Sequence, residues 1–200
     1  MYKLYEFGAS GNCYKLRLAM SHLEIDYERV TVDITRGESR TEAFLKINPN
    51  GRIPVLQTPD GDYLPESNAA LWFLGAQTAL CPAGKLQQAK ALQWMFFEQY
   101  SHEPFIATSR YWIMILNAAD KYKAQLDEKR PGGYAALGVM ERHLDNEPFF
   151  VGQRFSIADI ALYAYTHVAE EGGFDLAGFP AIKAWFQRIE QVKNYLPITA

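Results

Sequence analysis

The sequence predicts an α/β domain carrying a mixed four-stranded sheet over residues 1–80, followed by an all-helical domain over residues 86–200. Three observations predict it. The hydrophobic period changes repeatedly over the first eighty residues, and beyond them it stays near the helical value. Between the two lies Cys81-Pro82-Ala83-Gly84, a cluster of chain breakers suited to a linker.

Lys3-Leu4-Tyr5-Glu6-Phe7 reads as a short strand, and Gly8-Ala9-Ser10-Gly11 as the loop after it. From Asn12 onward, Cys13, Leu16, Met20 and Leu23 recur at helical spacing. Residues 27–32 alternate as a second strand, and two strands joined by such a helix pair in parallel. Ser39-Arg40-Thr41-Glu42 has the spacing of a capping box and predicts a short helix through Ile47. Residues 53–57 and 62–64 flank Thr58-Pro59-Asp60-Gly61, which predicts an antiparallel hairpin. Glu66-Ser67-Asn68 then opens a helix running to about Leu80. The order is β-α-β-α-β-β-α.

In the second domain, residues 86–117 form one long amphipathic run, with a kink expected at Pro104. Residues 121–146 form another, and Pro131-Gly132-Gly133 is expected to split it in two. Ser156-Ile157-Ala158-Asp159 opens a further helix as a capping box with aspartate in place of glutamate. Asp159 is therefore read as a folding element rather than a catalyst. Pro180 begins the last helix in its first turn.

Composition narrows the function. A chain of 200 residues with 48% hydrophobic and 14% aromatic content can build a sizeable core without disulfide or metal. The formal charge of −3 and the lack of a basic block argue against nucleic acid or an anionic membrane as partner. No apolar run approaches the ~20 residues of a membrane span, and Met1 leads straight into a strand, so neither a span nor a signal peptide is expected. The two cysteines are far apart and form no C-x-x-C, which suits a reduced, cytoplasmic protein. The four histidines lack ligand spacing, so no metal site is expected.

The most informative stretch is Asn48-Pro49-Asn50-Gly51-Arg52-Ile53-Pro54-Val55-Leu56. Pro54 stands at the start of a strand, where it has no N–H to give to the ladder. Either it is a plain strand-entrance proline, or the Ile53-Pro54 bond is cis. In the second case the backbone groups of Ile53 face away from the sheet, and an extended peptide ligand can pair with them as a short added strand.

Ser10 lies between the first strand and the first long helix, where unpaired N–H groups and the positive dipole end favour an anion. A hydroxyl there can cap the helix, or donate to a bound thiolate. A free thiol titrates near ~8.5, and lowering it by about two units requires about 2.7 kcal/mol. One charge-assisted hydrogen bond (~1.5–3 kcal/mol) plus a helix terminus (~0.3–1 kcal/mol) spans that requirement. Asn12 can donate to the same thiolate or shape the loop. Cys13 can supply thiol chemistry of its own, although it shares a face with Leu16 and Met20.

Glu66 and Ser67 open a helix and suit an amino-acid head group, Glu66 for its ammonium and Ser67 with the helix amides for its carboxylate. The alternative is a simple cap. Arg40 and Arg52 are candidates for a second carboxylate. On the long helix His102, Phe105, Ile106, Ser109 and Ile113 share about one face with Arg110 nearby, and with Phe7 they make a candidate wall for an apolar co-substrate or an ordinary core.

Together the motifs Ser10-Gly11-Asn12-Cys13-Tyr14-Lys15, Asn48 through Leu56, Pro65-Glu66-Ser67 and Ser156-Ile157-Ala158-Asp159 resemble the cytosolic glutathione transferase family across essentially the whole chain. The likeness is to bacterial serine-type branches near the theta and phi classes. It implies a thioredoxin-like N-terminal domain, an all-helical C-terminal domain, a homodimer, and a detoxification enzyme with glutathione as co-substrate and no cofactor. Carried over by position, Ser10 would activate the glutathione thiol, Ile53 beside Pro54 would clamp its cysteinyl part, Glu66 and Ser67 would meet the γ-glutamyl group, and Arg40 the glycyl carboxylate. The chain lacks the Arg-Gly-Arg of tyrosine-type members, which argues against Tyr5 as activator. Cys13 keeps open a glutathione-dependent peroxidase or thiol reductase, and a non-catalytic binding member of the fold is the third reading.

Overall fold

A computed structural model describes residues 1–200. The chain divides into two units, Met1–Thr78 together with Lys193–Ala200, and Ala79–Val192.

The first unit runs β1 (Tyr2–Glu6), α1 (Gly11–His22), β2 (Tyr27–Thr31), α2 (Glu42–Ile47), β3 (Val55–Gln57), β4 (Tyr63–Pro65) and α3 (Ser67–Gly75). The strand order is β2-β1-β3-β4. β1 pairs in parallel with β2 and antiparallel with β3, and β3 pairs antiparallel with β4. The predicted mixed four-stranded sheet is therefore present. Val32, Phe44 and Val55 form a buried cluster under Tyr5, Ile47 and Ile53.

Two local expectations change. α2 is capped by Thr41, whose Oγ1 accepts the Phe44 N–H at 3.3 Å, and not by Ser39. Ser39 is buried in a tight turn, Glu38–Arg40, that precedes the helix. α3 ends at Gly75 rather than near Leu80, because Ala76 is extended and Gln77 adopts φ +63°.

α1 is buried almost throughout, from Cys13 to Met20. Its polar stripe Tyr14, Arg17, Ser21 holds the end of the chain. Tyr14 donates to Leu196 O at 2.6 Å, Ser21 to Asn194 O at 2.7 Å, and Arg17 to Ile198 O and Ala200 O at 2.9 and 2.7 Å. Arg17 also lies 3.2 Å from buried Glu6. The last eight residues, expected with the helices, thus pack as part of the first unit.

The second unit contains α4 (Lys85–Phe97), α5 (Glu103–Arg110), α6 (Lys123–Leu144), α7 (Ile157–Thr166) and α8 (Pro180–Glu190). Residues 98–102 join α4 to α5 as a wider, i→i+5 helical turn. The break expected at Pro104 takes this form, since proline in the first turn of α5 has no N–H to donate backward.

α6 is not split. It runs unbroken through Pro131-Gly132-Gly133, and the glycines serve packing. A Cβ on Gly132 would sit 2.4 Å from Phe105 Cε1, and one on Gly133 would sit 2.2 Å from Phe174 Cε1. The two rings lie directly on the helix backbone.

Asp159 takes the structural role read from its spacing. Its carboxylate accepts the Ser156 N–H and hydroxyl at 2.9 Å, and the Phe150 N–H and Trp185 Nε1–H at 3.0 Å.

Candidate functional site

Strand register gathers the site at one end of the sheet. Val55 pairs with Tyr5 on one side and with Pro65 on the other, both antiparallel. One step outward from these pairs therefore reaches Pro54, Glu6 and Glu66 together. The loop after β1, the Ile53-Pro54 junction and the start of α3 share this edge.

The Phe7–Ser10 loop closes on itself through the Ser10 N–H donating to Phe7 O at 2.9 Å. Ser10 is the cap of α1, its Oγ accepting the Cys13 N–H at 3.4 Å. The hydroxyl proton and the first-turn amides therefore lie at the helix's positive end, a place suited to an anion. Cys13 points inward and is fully buried. Hydrogen bonds from Ser10 and at Phe7 favour its thiolate, but burial outweighs them and pushes the thiol up to about 12. It is a protonated core thiol.

The Ile53-Pro54 peptide is cis. Ile53 lies outside the paired register of β3, and its N–H and C=O make no backbone hydrogen bond. The turn before it is held by buried Asn48, which donates to Arg52 O at 2.7 Å and accepts the Asn50 N–H at 3.1 Å. Gly51 at φ +61° completes it, and a Cβ there would meet Arg40 Nη1 at 2.6 Å. Arg40 donates to Asn50 O at 2.9 Å and is otherwise exposed beside the turn, as is Arg52.

Glu66 caps α3 with φ +69° and its side chain exposed. Left-handed backbone at a residue other than glycine is uncommon and clusters at ligand sites. Ser67, next in line, is buried and donates to Asn12 Oδ1 at 3.2 Å. Lys15, fully buried on α1, donates to Ser67 Oγ at 3.3 Å and Asn68 Oδ1 at 3.1 Å. Two stretches that are 55 residues apart in sequence thus meet in one network. Sequence reasoning missed Lys15, because a lysine in an amphipathic helix reads as solvated, and missed the backbone of Glu66. Tyr5 packs edge-on against Phe44 and Tyr63, and burial raises its phenol.

The residues proposed as an apolar wall on the long helix are mostly enclosed within the second unit. His102 Nε2 meets Thr166 Oγ1 at 2.9 Å in a buried contact, Ser109 donates to Phe105 O at 2.7 Å, and Arg110 pairs with Glu171 at 2.7 Å. Ile106 has no exposed surface. These four serve the unit's interior. Phe105 and Ile113 stay half-buried, as does Phe7 in the first unit.

A parallel-antiparallel sheet with a proline at the hairpin's start and the N-terminus of α1 at the same end, followed by a helical unit, defines the thioredoxin-like plus all-helical class. The profile described as "Glutathione S-transferase, N-terminal domain" matches residues 9–77, and "Glutathione S-transferase, C-terminal domain" matches residues 88–192. The chain belongs to the glutathione S-transferase family. It is 47% identical to a glutathione S-transferase from Pseudomonas fluorescens Pf-5, whose crystal structure superposes with a TM-score of 0.97 over 100% of this chain and 99% of that one. It is 30% identical to the disulfide-bond oxidoreductase YfcG of Escherichia coli K12, covering 92% of this chain and 87% of that protein. A glutathione transferase, URE2P8, from Phanerochaete chrysosporium, solved with oxidized glutathione, is 25% identical with a TM-score of 0.86, covering 96% of this chain and 90% of that one.

Proposed function

We propose that this protein is a glutathione transferase that joins the glutathione sulfur to an electrophilic carbon of a hydrophobic compound. The tripeptide lies along the sheet edge. Its cysteinyl backbone pairs with the N–H and C=O of Ile53 beside Pro54, its γ-glutamyl group meets Glu66 and Ser67, and its glycyl carboxylate faces Arg40 with Arg52. The sulfur sits at the N-terminus of α1, where the Ser10 hydroxyl and the Asn12 amide donate to the thiolate. The leaving group departs with the electron pair that the sulfur replaces, and the thiol proton goes to solvent. Thiolate stabilisation and positioning supply the rate. The observation that carries this reading is the convergence of Ser10, Ile53 and Glu66-Ser67 at one end of the sheet. The test is the thiolate absorbance of bound glutathione against pH, with conjugation of 1-chloro-2,4-dinitrobenzene alongside. A bound thiol that titrates as it does in solution, with no conjugate formed, refutes it.

A second reading is favoured by the 30% identity to a disulfide-bond oxidoreductase. There glutathione's own thiolate attacks a disulfide, forming a mixed disulfide and expelling the other sulfur as thiolate. Buried Cys13 is poorly suited to that attack, so Cys13→Ser should retain reduction of hydroxyethyl disulfide by glutathione. Family membership supports a homodimer, which sedimentation of the purified protein tests, and a cytoplasmic location, which fractionation of the source cells tests.

A further inference from the structure

Hydrogen-bond polarity links the two ends of the candidate site. An ammonium has only donors, so the Ser67 oxygen 3.3 Å from Lys15 Nζ must accept. Its single proton is then directed to Asn12 Oδ1, 3.2 Å away. With Oδ1 occupied as acceptor, the Asn12 amide is held with its oxygen, and not its Nδ2–H, toward Ser67. An asparagine without such a partner can turn over. Lys15 is itself held by Asn68 Oδ1 at 3.1 Å, and its Nζ is therefore anchored to the first turn of α3 at two consecutive residues.

We infer that Lys15 is a positioning residue for glutathione chemistry, setting through Ser67 the direction in which Asn12 donates. The inference rests on the proposed glutathione site. Lys15 touches no reacting atom. It keeps the Ser67 hydroxyl and the Asn12 amide in one polarity, so that the head-group contact and the thiol contact are set together. The two contacts belong to different elements, α3 and α1, and Lys15 is the side chain that spans them.

The experiment compares wild type, Lys15→Met, Ser67→Ala and the double variant, each titrated with glutathione by calorimetry and by thiolate absorbance against pH. Methionine keeps the length and apolar stem of lysine and removes the donors. Lys15→Met should raise the bound thiol's pKa by about half a unit to one unit and weaken glutathione binding about tenfold. In the Ser67→Ala background the same change should shift the thiol by less than half as much, because the link is already cut. An equal shift in both backgrounds overturns the inference, since Lys15 would then act through its charge alone. A thermal destabilisation with the thiol pKa and affinity unchanged also overturns it, leaving Lys15 a structural residue. Should Lys15→Met not fold, the wild-type Asn12 side-chain amide resonances decide. They should move on adding glutathione and shift further as pH ionises the bound thiol, and resonances that stay put overturn the inference. Absence of glutathione binding by wild type removes the site itself and the inference with it. Binding by wild type with no change in Lys15→Met removes the inference alone.

Discussion

The Ser10 Oγ accepts the Cys13 N–H at 3.4 Å while the Cys13 thiol is buried beneath it with its pKa pushed up to about 12. Two groups that compete for the same role in the sequence are therefore told apart by burial and not by position, since the Ser10 side chain also hydrogen-bonds the Cys13 thiol. At pH 7 a thiol titrating near 12 is ionised to roughly one part in 10⁵, far below a free thiol. Cys13→Ser should retain wild-type-like turnover, within about threefold. Ser10→Ala removes a hydroxyl worth ~1.5–3 kcal/mol to a thiolate, so the bound glutathione thiol should rise by about one to two units. Steady-state conjugation rates for both variants, with the pH profile, test this. Loss of activity in Cys13→Ser with Ser10→Ala spared would reverse the assignment.

Burial also governs labelling. Cys81 is partly exposed and Cys13 fully buried. Iodoacetamide should add once, at Cys81, to the folded protein, and a second time only in denaturant. Intact-mass and peptide mass spectrometry read the order directly.

Asp159 holds three N–H donors and one hydroxyl inside the helical unit. Asp159→Ala strands the Ser156, Phe150 and Trp185 donors, each costing ~1–3 kcal/mol with only partial additivity. A loss of about 3–5 kcal/mol in urea unfolding is expected. The folded fraction should bind glutathione with unchanged affinity, because the proposed site lies in the other unit. A loss of glutathione binding from folded protein would contradict that.

His167 stacks on Tyr163 at 4.3 Å and meets Tyr163 O at 2.6 Å, and burial lowers its pKa from 6.5 to about 4. Below 6.5 the unfolded chain takes up a proton that the folded one refuses, so stability from this group is complete above 6.5 and falls as pH drops toward 4. Asp159, raised from 3.8 to about 6 by burial, runs the other way, and its contribution is lost as pH rises from 3.8 to 6. The two partly offset each other in the wild type. Comparison with His167→Gln exposes the histidine alone. From pH 7 to pH 4 the wild type should lose about 3 kcal/mol relative to that variant in urea melts.

Local periodicity carried most of the architecture. The β-α-β-α-β-β-α order and the Ser156–Asp159 motif follow from spacing and residue type, while Pro54 leaves two readings open, of which the cis Ile53-Pro54 bond is the one present. What escaped depends on contacts between distant stretches. Tyr14, Arg17 and Ser21 look like a solvated stripe until residues 193–200 fold back over them. Lys15 looks exposed until α3 brings Ser67 and Asn68 to it. His102, Ser109 and Arg110 are polar residues on a helix face, and only the packing of α7 and Glu171 shows that this face is interior. Glu66 gives no local sign of the positive φ it adopts.

Pro131-Gly132-Gly133 was the clearest local signal for a break in α6, and tertiary packing overrides it. Glycine in a helix costs about 1 kcal/mol relative to alanine, so Gly132→Ala and Gly133→Ala would each stabilise an isolated helix. Here each new methyl meets a ring, at 2.4 Å for Phe105 and 2.2 Å for Phe174. The Phe174 ring is fully buried, sits under the Arg130 guanidinium at 5.0 Å and packs edge-on against Tyr134 at 5.4 Å, so it has little room to retreat. Phe105 is half-buried and can turn aside. Gly133→Ala should therefore destabilise by about 1–3 kcal/mol despite its higher helix propensity. Gly132→Ala should cost less, and Gly133→Ala combined with Phe174→Leu should recover part of the loss. Urea unfolding of the four proteins measures this, and a Gly133→Ala variant as stable as wild type would mean that the ring moves freely.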